Sequence, residues 1–273
     1  MDLFTTTFVA YAKSILPWFL LGTVAAFLVD RAVDKQRVHS FLGKVTLPNI
    51  IAALAIGMVS PLSIMSALPI SGELIRLGAQ PLMLLIFLIA ERAYDLQSFF
   101  IISDLFGLKI AATNAFIIFT SLAVTAWYFR KIKLQFINSK KGQTDFWPGQ
   151  IKTLLIVFIG ISVGAALRVV IPLTSLGVFM TSWLGSVITS LALGFSLYFG
   201  TILGNYPIAK SLADLGMAPV GTMLFLSVSP IFNLIVITLF LSVIKNKYVI
   251  KVFLVYTLTS IVLSLVLSQL FLI

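Results

Sequence analysis

A thirteen-residue segment occurs twice in this chain, from Pro69 to Pro81 and from Pro207 to Pro219, and each copy interrupts apolar sequence. At a constant offset of 138 residues, six of the thirteen positions are identical: Pro69/Pro207, Ile70/Ile208, Leu74/Leu212, Leu77/Leu215, Gly78/Gly216 and Pro81/Pro219. The register continues into Phe87-Leu88/Phe225-Leu226 and Asp95/Asn233. This is the signature of a duplicated chain. Gly/Pro-interrupted apolar segments at matching places in two halves point to a binding site at the interface between repeats, the arrangement of many membrane transporters.

The sequence around the copies decides the solvent. Continuous apolar stretches of roughly 20 residues, enough to cross a bilayer core as helix, run at about 7–29, 47–66, 81–103, 108–129, 153–172, 176–200, 219–244 and 252–272. With 60% hydrophobic and 10% charged residues, such a chain has more apolar surface than a soluble core of its size can hide. The runs are continuous and not alternating, so helices and not barrel strands are expected. The first run, with Pro17 inside it and no small-x-small cleavage site, reads as a retained helix.

The net charge of +10 does not imply a nucleic-acid partner, because the basic residues fall between apolar runs. They cluster at Arg31, Lys35, Arg37 and Lys44; at Arg130, Lys131, Lys133, Lys140, Lys141 and Lys152; and at Lys245, Lys247 and Lys251. By the positive-inside rule all three clusters face the cytoplasm of a cell (inner or plasma) membrane. The chain then divides into a first half at 1–138, a basic linker at 139–152 and a second half at 153–273. For every basic loop to share one side, each half needs an odd number of crossings. The short Pro-to-Pro segment supplies the fifth. The expected fold is an all-α polytopic bundle of two inverted repeats, each with four long helices and one short broken segment, and with both termini outside.

A helix of about twelve residues rises only about 18 Å, short of a hydrocarbon core of about 30 Å. The short segments are therefore partial spans, and irregular backbone at that depth requires a protein or aqueous lining. Pro69 and Pro207 suit the first helical turn, Gly78 and Gly216 suit C-terminal caps, and with Pro81 and Pro219 these glycines form candidate hinges. Each short helix is expected to direct the positive end of its dipole toward the centre, where it suits an anion or a polar solute.

The residues named so far resemble the predicted permeases of the ArsP/YraQ type. The resemblance rests on Ser60-Pro61 with Pro69, Leu77-Gly78 with Pro81, the run Phe87-Leu88-Ile89-Ala90, Asp95 and Leu105-Phe106-Gly107-Leu108-Lys109. In the second half it rests on Pro207, Gly216, Pro219 and Ser229-Pro230-x-x-Asn233. It implies a permease, with export of toxic species among the family's activities. Where such permeases commonly carry Cys-Ser-Cys this chain has Ser63-Ile64-Met65, and where they carry Ser-Pro it has Glu91-Arg92. Without cysteine anywhere, capture of trivalent arsenic by thiolate is excluded.

Charge inside apolar segments is costly and normally meets a partner or a wet cavity. The candidate pathway residues are Ser63, Ser66, Pro69, Glu73, Arg76, Glu91, Arg92 and Asp95 in the first half, and Asn205, Pro207, Ser229 and Asn233 in the second. Glu73/Arg76 and Lys210/Asp214 have helical spacing for ion pairs. Glu91 and Asp95, four apart on a run expected to be one helix, are read as sharing a face, with Arg92 as their cation. The expected activity is secondary transport of a small polar or anionic solute by alternating access, without cofactor or metal; lipid and the solute are the expected partners. There is no Gly-rich nucleotide loop and no HExxH or GxSxG motif. The alternatives are an intramembrane enzyme using Glu91 and Asp95, a channel, or a non-transporting membrane subunit.

Overall fold

The computed structural model describes residues 3–32, 42–59, 79–132, 134, 146–170, 176–196, 202–233, 236–237, 240–241 and 248–271. Among these the chain is all helical, without a strand. In chain order the helices are α1 (Leu3–Ala32), α2 (Leu47–Val59), α3 (Pro81–Ala93), α4 (Leu96–Phe106), α5 (Leu108–Tyr128) and α6 (Phe146–Val170). Then come α7 (Leu176–Thr181), α8 (Trp183–Ser196), α9 (Asn205–Asp214), α10 (Pro219–Val228) and α11 (Tyr248–Phe271). Among the described residues, two stretches, Leu108–Tyr128 and Val249–Gln269, are long and apolar enough to cross a membrane.

Local chemistry explains the starts and stops. Pro81 and Pro219 each occupy the first turn of a helix, and the residues before them, Gln80 (φ −72°, ψ 129°) and Ala218 (φ −58°, ψ 148°), are extended as a following proline requires. Gly216 ends α9. Its φ of 94° lies in the region glycine tolerates, and the amides of Gly216 and Met217 donate to the carbonyls of Ala213 and Leu212. These are the 5→2 and 6→1 bonds of a Schellman cap. Gly107, also at φ 94°, makes the sharp corner between α4 and α5.

Helix contacts recur at the offset of 138 residues. α2 lies on α3 as α8 lies on α10, and α3 meets α5 as α10 meets α11. The counterparts across the halves also touch, α1 against α6 and α5 against α11. Glycines set the close approaches: a Cβ at Gly57 on α2 would fall 2.8 Å from the Phe87 carbonyl oxygen, and one at Gly194 on α8 would fall 2.8 Å from Ser229 Cβ. The two glycines meet equivalent segments, Gly57 against Phe87 and Glu91 and Gly194 against their counterparts Phe225 and Ser229.

Two helices, α11 and α5, place small polar residues among their buried positions and large apolar ones outside. On α11 the buried positions include Thr257, Ser260, Ser264 and Ser268, whereas Ile250, Leu254, Leu258, Val262 and Val266 are exposed one turn apart. α5 buries Asn114, Ser121 and Thr125 and exposes Leu108, Phe116, Val124 and Trp127. Ser260 Oγ donates to Ser121 Oγ across that contact at 3.0 Å. Small polar residues between helices and large aliphatic ones outside are the pattern of packing in lipid, where apolar contact alone drives no association.

The long apolar runs are more broken than the sequence suggests. The run at 81–103 is two helices with a gap at Tyr94-Asp95; that at 176–200 is interrupted at Ser182; and that at 219–244 leaves the helix at Ser229. Apolar content reports the solvent, not the continuity of the backbone.

Candidate functional site

The two halves break their proline-started helices at equivalent points. In the first half the Tyr94 amide donates to the Ala90 carbonyl at 3.1 Å, and Asp95 then caps α4. Its Oδ1 accepts from both the backbone N and the Oγ of Ser98, each at 2.6 Å. In the second half the Phe232 amide donates to the Val228 carbonyl at 2.8 Å, and Asn233 Oδ1 accepts from the Val236 backbone N at 2.8 Å. Positions 138 apart thus perform the same capping interaction, onto the residue three further on. Asp95 is first of all the residue that restarts a helix after a buried break, and Asn233 makes the equivalent bond to Val236.

This corrects the reading of Glu91 and Asp95 as two carboxylates on one helix face. Glu91 is in the last turn of α3, Asp95 lies beyond the extended Tyr94 (φ −160°, ψ 145°), and the two belong to different elements. Arg92 remains within electrostatic reach of both.

The second break gathers three of the candidate residues. Asn205 Nδ2 donates to Ser229 Oγ at 3.1 Å, Ser229 Oγ donates to the Phe225 carbonyl, and Asn233 Nδ2 donates to the Ser229 carbonyl at 2.7 Å. All three side chains are buried. Asn205 does not stand ahead of the short helix. A 3-10 turn, Ile202–Gly204, runs into α9, so Asn205 is already helical and Pro207 is its third residue. The short helix does not start as a bare N-terminus at Pro207, and its specific chemistry comes from side chains.

Tyr206, which sequence reasoning passed over, joins the two breaks. Its ring is buried, and its hydroxyl faces Ser98, the residue that Asp95 caps, within electrostatic reach of Asp95, Tyr94 and Arg92. Asn205 therefore addresses the break of its own half while its neighbour Tyr206 addresses the other. Further along α9, Lys210 pairs with Asp214 at 2.9 Å, as the spacing predicts, and its ammonium lies 5.7 Å from the Phe106 ring on α4.

The seat of α9 is built from glycine. A Cβ at Gly160 on α6 would collide with the Gly204 backbone, and one at Gly164 would fall 2.8 Å from the Pro207 carbonyl oxygen. Ser211 Oγ donates to the Gly164 carbonyl, and Tyr11 on α1 hydrogen-bonds Ser211 Oγ at 2.8 Å. A Gly-x-x-x-Gly pair at 160 and 164 could have shown this seat in the sequence. Asn114, the other residue missed, is fully buried in α5 with both ends of its amide lacking a hydrogen-bond partner among the described residues. Its signal was an amide side chain inside an otherwise apolar helix.

Of the remaining candidates, Pro81, Gly216 and Pro219 hold the positions described above, while Ser63, Ser66, Pro69, Glu73, Arg76 and Gly78 lie outside the described residues. Among the described residues no group of three or more His, Asp or Glu side chains could hold a metal ion. Compared with known proteins, the chain finds no match among family models, curated proteins or solved structures.

Proposed function

We propose that this chain is a multi-pass membrane permease, a secondary transporter of a small polar solute whose site lies where the short helix α9 meets the two helix breaks. One observation carries the reading: buried, polar helix breaks recur at equivalent positions of both halves, and the first turn of α9 reaches both of them. A buried gap in a helix exposes backbone groups that only protein, water or a solute can satisfy. The outward apolar faces support a lipid surround, as do Trp127, Tyr128 and Arg130 at the end of α5, where the guanidinium stacks 4.1 Å from the Trp127 ring. The resemblance to ArsP/YraQ-type permeases points the same way, with export as the direction. The matching helix contacts of the two halves support a two-fold arrangement, for which we take the inverted orientation from the basic loops.

The topology makes a direct test. With Lys140 changed to Cys in this cysteine-free chain, a membrane-impermeant thiol reagent added to intact cells will leave position 140 unmodified and will modify it after the membrane is opened. Modification in intact cells removes the inverted arrangement. Transport itself is tested by osmotic swelling of vesicles containing the purified protein, in gradients of neutral, cationic and anionic small solutes. Swelling faster than in protein-free vesicles for at least one solute is expected; identical rates for the whole panel reject a permease.

A further inference from the structure

The polar side chains of the second break differ in how completely they are satisfied. Ser229 has one hydroxyl proton, and it is committed to the Phe225 carbonyl one turn back. The group of Asn205 that lies 3.1 Å from Ser229 Oγ is therefore the NH2, and the amide orientation follows from the bonding network. Asn233 is fixed in the same way, by Ser229 on its nitrogen and Val236 on its oxygen. One atom is left over. Asn205 Oδ1 belongs to a residue only 2% exposed and has no hydrogen-bond partner among the described residues.

A buried amide oxygen without a donor is a costly arrangement unless something brings the donor. The surrounding charge narrows what that is. The charged groups described at the breaks are two carboxylates, Glu91 and Asp95, and one guanidinium, Arg92; the second break contributes Asn205, Ser229 and Asn233, which carry none. An oxyanion arriving here would meet a lone-pair acceptor at Asn205, to which it has no proton to donate. A solute carrying an O–H or N–H group would complete the network.

We propose, resting on the permease reading, that Asn205 Oδ1 is the docking acceptor for a hydrogen-bond donor on the solute, and that the site selects donor-bearing neutral or cationic solutes over oxyanions. Asn205 is then a specificity-determining residue, and the preference for anions expected from helix dipoles alone is overridden by the side chains.

The experiment uses the full chain in vesicles with three probes: boric acid, neutral with three O–H donors; methylammonium, a cation with N–H donors; and sulfate, an oxyanion without one. The parent is compared with Asn205→Leu, close in size but without an acceptor, and with Asn205→Asp, which keeps an acceptor and adds charge. Boric acid or methylammonium is expected to outpace sulfate through the parent, and Asn205→Leu is expected to lower that flux at least tenfold. Asn205→Asp is expected to raise the ratio of methylammonium to boric acid flux, which decides the matter if the Leu variant does not fold. Sulfate faster than both donors, undiminished flux in Asn205→Leu because only a structural water sits there, or an unchanged flux ratio in Asn205→Asp each overturns the donor assignment while leaving the permease intact. No flux of any probe through the parent ends both readings.

Discussion

Asn233→Asp will unfold or severely destabilise the protein, whereas Asp95→Asn will fold normally, although the two substitutions are mirror images at equivalent positions. Asn233 uses both ends of its amide, and aspartate would lose the Nδ2 bond to the Ser229 carbonyl and set a charged oxygen against it in a fully buried place. The cost is on the order of 3 kcal/mol or more. Asp95 makes its hydrogen bonds as an acceptor through Oδ1, which asparagine retains, as Asn233 does in the other half, and Glu91 remains as a counter-charge for Arg92. Asp95→Ala, which loses the cap, should cost about 1–2 kcal/mol. Thermal unfolding of the purified variants in one detergent measures all three. Equal loss in Asn233→Asp and Asp95→Asn would show that the capping equivalence does not govern stability. Because Asp95→Asn is expected to fold, it also removes the charge cleanly: an unchanged pH profile of transport in this variant and in Glu91→Gln would remove these carboxylates from any proton-coupled step.

The second large effect is expected at the seat of the short helix. Gly160→Leu places a side chain where the Gly204 backbone lies, and no rotamer can relieve a clash that begins at Cβ. Overpacking a core costs about 1–3 kcal/mol when side chains can shift; here the obstacle is backbone, so a larger loss and failure to recover monodisperse protein are expected. Ile159→Ala, one residue away and half exposed, should lower the melting temperature little. A Gly160→Leu protein as stable as the parent would mean that α9 does not rest on α6 as described.

Much of this architecture could be read from residue type and spacing. Pro207 announced a residue of the first helical turn and Gly216 a helix stop, because each fixes backbone geometry locally, whereas Pro81 and Pro219, read as hinges, prove to start helices. The i, i+4 pair Lys210 and Asp214 needed only a helix to meet. The gap at Tyr94-Asp95 was not legible, because the residues before it are as apolar as any unbroken span and the cap that restarts α4 is a single side chain. Whether Asp95 is a charge for transport or an N-cap depends on a break that hydropathy does not register. Tyr206 escaped notice for a related reason. A tyrosine in apolar sequence reads as packing until the partner half of the chain is brought against it.

The adjacency of Asn205 and Tyr206 has a consequence for how such a protein could change over time. Two successive residues of one rigid turn serve different halves of the molecule, so a substitution at either alters what one side offers a solute and leaves the other side's chemistry as it was. The glycine seat beneath them sets the backbone of that turn, while the two side chains, both buried, fill the space above it and, for Asn205, hold Ser229. New preferences then arise by single steps that keep the volume of residue 205 or 206, without an accompanying change in the scaffold.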